Sequence, residues 1–307
     1  VIKMAVDLKR VRRGVQKLPP RILTYGFDGV GKTEFAAGAP GVFFLDANKG
    51  SHKFDVGAVD ITSWDDGNQW VNAIANNEVK LQGGKPIETV VLDSITDFES
   101  MSHAAIFPEG ETVTSFKGGY GKGDDYALLK WRPTLAQIER IWLSGKRIIF
   151  VAHARVKNFQ DPTAPAYDRF EIAARPALAG ALRQWCDFVL FCREETSVTN
   201  GKGVTSGVRW MYTRRTPAYD AKARASLLFP ERILLSWQDF QKALDADGDR
   251  GPLEESISEM LSEIGDPAFD KAVRDYVKQY PSQIVEARNR VSAKLEEFRK
   301  SKEQSNG

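Results

Sequence analysis

The chain has little cysteine, only Cys186 and Cys192 among 307 residues. Two thiols make neither a disulfide framework nor a four-ligand zinc set. Both fall in or beside one apolar run, where a small thiol packs as core. A reducing compartment is the expectation. Histidine is also scarce: of the three, His52 and His103 have no metal-ligand spacing with acids or cysteines. Net charge is almost absent at +2, so composition argues neither for nor against a polyanionic partner. No apolar run approaches the ~20 residues that span a bilayer, and no cleavable leader pattern opens the chain. No membrane partner and a soluble, cytoplasmic protein are therefore expected. There is no internal repeat. What is present is an apolar fraction of 42%, ample for one large domain or two smaller ones.

Against this background one stretch stands out. Gly26-Phe27-Asp28-Gly29-Val30-Gly31-Lys32-Thr33 fits G-x-x-x-x-G-K-[ST], a phosphate-binding loop. Residues 21–25 before it read as a buried strand, and residues 34–37 after it as a helical start. Glycines let the backbone curl so that N–H groups face the α- and β-phosphates. Lys32 reaches the β/γ-phosphates, and the Thr33 hydroxyl is placed to hold Mg²⁺. The motif therefore implies a nucleoside phosphate and Mg²⁺ as ligands.

Further apolar runs at 41–46, 88–93, 146–152 and 187–192 read as strands. Segments 65–78, 95–106 and 124–143 read as helices, with Trp70, Val71 and Ile74 on the inner face of the first and Pro133 inside the last. Apolar strands alternating with helices predict an α/β fold with a mostly parallel central sheet covered on both faces. A late hairpin pairing Phe191 with Tyr212, with its turn near Gly201-Lys202-Gly203, fits the alternation at 208–213. The expected organisation is a basic segment at 1–20, a nucleotide-binding core at 21–240 and a helical C-terminal appendage at 241–307. The 1–17 segment carries six basic residues and one acid. It reads equally as a phosphate-touching arm or a solvated lead-in.

A phosphate loop needs a second acid for its Mg²⁺, commonly at the end of a neighbouring strand. Asp93, closing Val90-Val91-Leu92, meets that need; Asp93 or Ser94 as a helix cap is the structural alternative. Asp46 ends the second strand on the ligand-binding edge of such folds. Asp46, Asp97 and Glu99 are the carboxylates from which a general base would be drawn. Asn48, an amide, cannot serve as one. His153, directly after the fourth strand, is placed to sense the γ-phosphate or is an ordinary satisfied histidine. Lys222 and Arg224, two positions apart, present a cation pair to a neighbouring nucleotide or to solvent.

Two stretches have the character of a single-strand nucleic-acid surface, basic side chains interleaved with aromatics. One runs through Arg155, Lys157, Phe159 and Arg169, with a loop at 161–165. The other is the glycine-rich stretch holding Lys117, Tyr120 and Lys122. Gly201-Lys202-Gly203 at the hairpin turn, with Lys202, adds a third such segment.

Taken together, the phosphate loop, Phe44-Leu45-Asp46, Val90-Val91-Leu92-Asp93-Ser94 with Asp97, Val151-Ala152-His153 and Ala221-Lys222-Ala223-Arg224 resemble the phage-type RecA-like P-loop nucleotide-binding proteins of the AAA class. Single-domain recombinases and annealing proteins are among them. The resemblance runs from about residue 21 to 233 and implies a RecA-like P-loop NTPase core. It also implies ATP between subunits of a ring or filament, single-stranded DNA on inner loops, and a part in phage homologous recombination beside other recombination or replication proteins. In such proteins a glutamate shortly after the second strand is the catalytic base. The matching position here is Asn48, which implies slow ATP turnover. Two alternatives follow from the same residues: a helicase loader or other DNA motor ATPase, and a nucleotide-gated interaction module with little hydrolysis.

Overall fold

The computed structural model describes residues 18–160, 162, 165–199, 202–225, 229–280 and 283–305. The basic segment at 1–17 lies outside them, as do Gly201 and the Lys202 side chain.

The fold is built on one sheet. Its parallel part comprises β1 (Arg21–Gly26), β2 (Val42–Asp46), β3 (Gly57–Asp60), β4 (Thr89–Asp93), β5 (Arg147–Phe159) and β7 (Phe188–Thr199). Their spatial order is β7-β1-β5-β4-β2-β3. The remaining strands are antiparallel: β6 (Tyr167–Ile172) on β5, β8 (Lys202–Tyr212) and β9 (Lys222–Ala223) on β7, and β10 (Arg232–Leu234) on β8. The apolar-strand reading is thus realised as a mixed α/β fold with a mostly parallel centre. Phe191 pairs with Tyr212, the register expected from the alternation of the late strand.

Alternation along each strand divides the core into two layers. Leu23, Tyr25, Leu92, Phe150 and Phe191 face one side. There they meet α2 (Trp64–Ala75), α3 (Ile95–Ile106), α4 (Lys122–Leu143) and α5 (Pro176–Trp185). Ile22, Phe44, Val91, Ile149 and Leu190 face the other side, under α1 (Lys32–Ala37) and Trp237 and Phe240 of α6 (Trp237–Ile264). Val71 and Ile74 are buried as the helical spacing predicts, and Trp70 packs partly buried beside them. Cys186 and Cys192 are both free and buried.

The apolar runs at 146–152 and 187–192 locate only the inner halves of β5 and β7. Both strands continue past the sheet edge as hairpin arms, into β6 and β8 respectively. The outer halves carry polar residues because they no longer lie between two helical layers. α6 runs unbroken from Trp237 past residue 241. Its later turns pack with α7 (Pro267–Gln279) and α8 (Ile284–Ser305) in a separate apolar cluster around Leu261, Val273 and Val291. Among the described residues, no helix is long and apolar enough to cross a membrane.

Candidate functional site

Parallel register brings the carboxyl ends of the central strands to one edge. Gly26 lies beside His153 and Cys192, and Asp46 lies beside Asp93. The loop from Gly26 to Thr33 turns over this edge. Gly29 and Gly31 have φ of 76° and 107°, values that L side chains adopt with strain. Gly26 is fixed by space: a Cβ there would stand 2.4 Å from the Cys192 carbonyl oxygen. Lys32 is buried, its ammonium donating to the carbonyls of Gly26 and Phe27, each at 2.9 Å. Burial lowers its pKa.

The Thr33 hydroxyl donates to Asp93 at 2.6 Å. Burial pushes the Asp93 carboxyl up to about 6, although the Thr33 hydrogen bond works against that rise. Ser94, not Asp93, caps α3, its hydroxyl accepting from the Asp97 N–H at 3.2 Å. The two capping alternatives are thereby separated: Asp93 faces the phosphate loop and Ser94 starts the helix. A hydroxyl and a carboxylate side by side form a hard-oxygen pair suited to Mg²⁺.

His153 sits between two carboxylates. Its Nε2 is 3.5 Å from Asp97, and its Nδ1 is 2.5 Å from Asp28 of the phosphate loop, without the alignment of a hydrogen bond. The bond to Asp97 raises the His153 pKa and lowers that of Asp97. A second contact joins the loop to the β5–β6 hairpin: Phe27 meets Phe170 edge-on at 5.5 Å.

Asp46 accepts from the backbone N–H groups of Asn48, Gly50 and Ser51 at 3.1, 3.2 and 2.8 Å, and from the Ser51 hydroxyl. With both oxygens engaged and 1% exposure, this carboxylate organises the loop after β2 and is poorly placed to take a proton from water. Glu99 is drawn away from the nucleotide edge, its carboxylate accepting from the Arg175 N–H. Asn48 lines the cavity at the loop, and its Oδ1 accepts from Gly50 N–H at 2.9 Å.

That cavity, about 280 Å³, is bounded by Asp28, Lys32, Thr33, Asn48, Asp93 and His153. Further lining residues that the sequence reading did not place in the site are Glu34, Gly50, Lys53, Phe54 and Arg209. Lys53 and Phe54 follow the turn pinned by Asp46. Arg209 arrives from β8 and reaches back to the loop. No short-range pattern marks it, although its place opposite Glu194 in β7 follows once the Phe191–Tyr212 register is known.

Residues 18–225 match the model of an AAA-domain family, AAA_24. The chain belongs to this AAA-domain family. It is therefore a P-loop NTPase by fold, and the family carries nucleotide-binding ATPase chemistry. The matched span of the AAA domain includes every site residue named so far and also Lys222 and Arg224, and it ends before β10. No curated protein matches the chain.

Other expected site residues of the AAA domain fall elsewhere. Lys222 and Arg224 lie at the opposite end of β7, Lys222 pairing with Val189. This is about 10 Å along the strand from the Gly26 level at 3.3 Å per residue. Lys222 donates to the carbonyls of Arg183, Gln184 and Cys186, which end α5, and Arg224 pairs with Asp187 at 2.9 Å.

Arg169 requires a correction. It is 3% exposed, paired with Asp220 at 2.8 Å and laid over the Phe159 ring. A buried guanidinium tied to Asp220, which also pairs with Arg183 and Arg215, has no reach to a DNA backbone, so its role is to hold the hairpin. Phe159 is half-buried against Tyr167. Arg155 is half-buried and Lys157 exposed on the same hairpin face. Lys117 and Lys122 are exposed, on either side of a Tyr120 that is 98% exposed. Arg175 ties the two stretches, its side chain donating to Asp124 of α4 and its N–H to Glu99 of α3.

Proposed function

We propose that the protein binds ATP with Mg²⁺ on the 26–33 loop and, in that state, binds single-stranded DNA in a recombination or annealing role. The observation that carries this reading is the double contact between the phosphate loop and the β5–β6 hairpin: Asp28 with His153 and Phe27 with Phe170. A triphosphate displacing the Lys32 ammonium from the loop carbonyls acts on the backbone that holds both contacts. The hairpin then presents Arg155 and Lys157, and the glycine-rich loop presents Lys117, Tyr120 and Lys122. Cations track the strand's phosphates while Tyr120 offers a ring for base stacking.

Mg²⁺ would be held by oxygens of Thr33 and Asp93, where it neutralises phosphate charge. Lys32 stabilises charge on the β/γ side. Hydrolysis is slow in this reading, because the residue lining the cavity after β2 is the Asn48 amide, and the Asp46 carboxylate that ends β2 is buried and fully engaged by the turn. Lys222 and Arg224, remote from their own loop, serve a nucleotide on an adjacent copy in a ring or filament.

The test is a filter-binding titration of labelled single-stranded DNA with Mg²⁺ and ATP, ADP or no nucleotide, on wild type and Lys32→Ala. The expected result is ATP-dependent affinity that Lys32→Ala abolishes. Equal affinity in all three nucleotide states, or none in any, refutes the reading. Tight ATP binding with no DNA affinity and no turnover would favour a nucleotide-gated protein-interaction module, which Asn48 also suits.

A further inference from the structure

Among the described residues, Arg209 is the one cation of the cavity wall that comes from the antiparallel part of the sheet. It sits on β8 opposite Glu194 of β7, and its guanidinium crosses to the phosphate loop. Nη1 donates to the Val30 carbonyl at 3.3 Å and to the Glu34 carboxylate at 3.2 Å. It also lies against Gly31: a Cβ at that position would stand 2.6 Å from it. A side chain there would meet both the left-handed backbone and the guanidinium.

These contacts hold Arg209 loosely. Its side chain is 42% exposed and the Glu34 side chain 60% exposed, and an ion pair so exposed contributes little. A phosphate group is a better partner for a guanidinium, offering paired oxygens at matching spacing and a full charge. The position also selects which phosphate. The backbone around Gly31 is the part of such a loop that cradles the α- and β-phosphates, whereas the lysine reaches the β/γ side. Arg209 approaches over Val30, Gly31 and Glu34, on the α/β side. His153 and Asp28 stand with the β5 end of the cavity, where β5 adjoins β4 and Asp93.

We propose that Arg209 is a phosphate-binding residue supplied by the same chain, contacting the α/β-phosphates of a bound nucleoside di- or triphosphate. On nucleotide binding its guanidinium exchanges Glu34 for phosphate oxygen. Arg209 thereby fastens the β7–β8 hairpin to the nucleotide whether or not a γ-phosphate is present. The inference rests on nucleotide binding at the 26–33 loop. It assigns to this residue a role different from that of Lys32 and from any cation reaching across a subunit boundary.

The experiment titrates the full chain with fluorescent ADP and fluorescent ATP, each with Mg²⁺. It compares wild type, Arg209→Ala, Arg209→Lys and Lys32→Ala, with thermal melts without nucleotide as the folding control. Arg209→Ala is expected to weaken both nucleotides by a similar factor of about tenfold or more, the loss of a charge-assisted hydrogen bond, with an unchanged melt. Arg209→Lys is expected to fall between, since it keeps the charge without the paired donors. If Arg209→Ala binds both nucleotides within twofold of wild type while Lys32→Ala has lost them, the Arg209 assignment is overturned and the loop reading survives. Weakening of ATP alone overturns the α/β placement. Wild type binding neither nucleotide overturns the loop reading and this assignment together.

Discussion

Replacing Glu99 with Gln should stabilise the protein, and by an amount that grows with pH. Glu99 lies on α3 with 7% exposure. The groups facing it are Arg175 after β6, Asp124 on α4 and Arg155 on β5. Burial is the largest influence on its carboxyl. The Arg175 N–H and the two arginine charges favour ionisation, Asp124 opposes it, and the net result is a rise from 4.5 to about 7. At 1.36 kcal/mol per pH unit, holding this group ionised in the folded state costs about 3 kcal/mol. The sign follows from linkage: the folded protein holds the proton to higher pH than the unfolded chain, so stability is greatest below pH ~4.5 and is lost as pH rises through ~7. Gln keeps an acceptor for the Arg175 N–H and has no proton to lose. Urea unfolding followed by tryptophan fluorescence should then show Glu99→Gln gaining about 3 kcal/mol at pH 8.5 and only about 1.5 kcal/mol at pH 5.5. A stability difference that is constant with pH, or larger at pH 5.5, would refute the reasoning.

Two further outcomes follow from the site geometry. Asp220→Ala should cost about 3–5 kcal/mol, the range for breaking a buried ion pair, because it strands the Arg169 charge; the same urea titration reads this. His153→Ala should leave ATP affinity within a few-fold of wild type yet remove most of the ATP-dependent gain in single-strand affinity, since it cuts one of the two contacts between loop and hairpin. Loss of ATP binding in proportion to DNA binding would assign His153 to the nucleotide alone.

Much of the fold was legible because it depends on local regularities. Residues 21–33 carry a buried strand, a glycine-patterned turn and a helix start in immediate succession, so motif and context confirm each other. The central strands announce themselves as apolar runs because helices cover both faces. Asp93 was legible for a related reason: an acid ending such a run must lie at the carboxyl edge of the sheet. Ser94 as cap and Asp93 as the partner of Thr33 were not separable in sequence, since either residue type suits a helix start.

The misses at two arginines share one cause. Arg169 was read as a DNA contact because a cation beside an aromatic looks the same whether it faces solvent or a carboxylate. Its partner Asp220 is 51 positions away. Arg209 escaped notice for the complementary reason: its target in the phosphate loop, Val30, is 179 positions away. The outer halves of β5 and β7 lacked an apolar signature because they project beyond the helical layers.

The amino-acid sequence by itself determined the phosphate loop, the α/β alternation and the two-sided core, because each depends on residue type at short spacing along the chain. Only the tertiary structure decided which charged side chains face the cavity and which are spent on one another. An arginine's role is set by the nearest carboxylate in space, and that neighbour is chosen by strand order and register, not by position in the sequence.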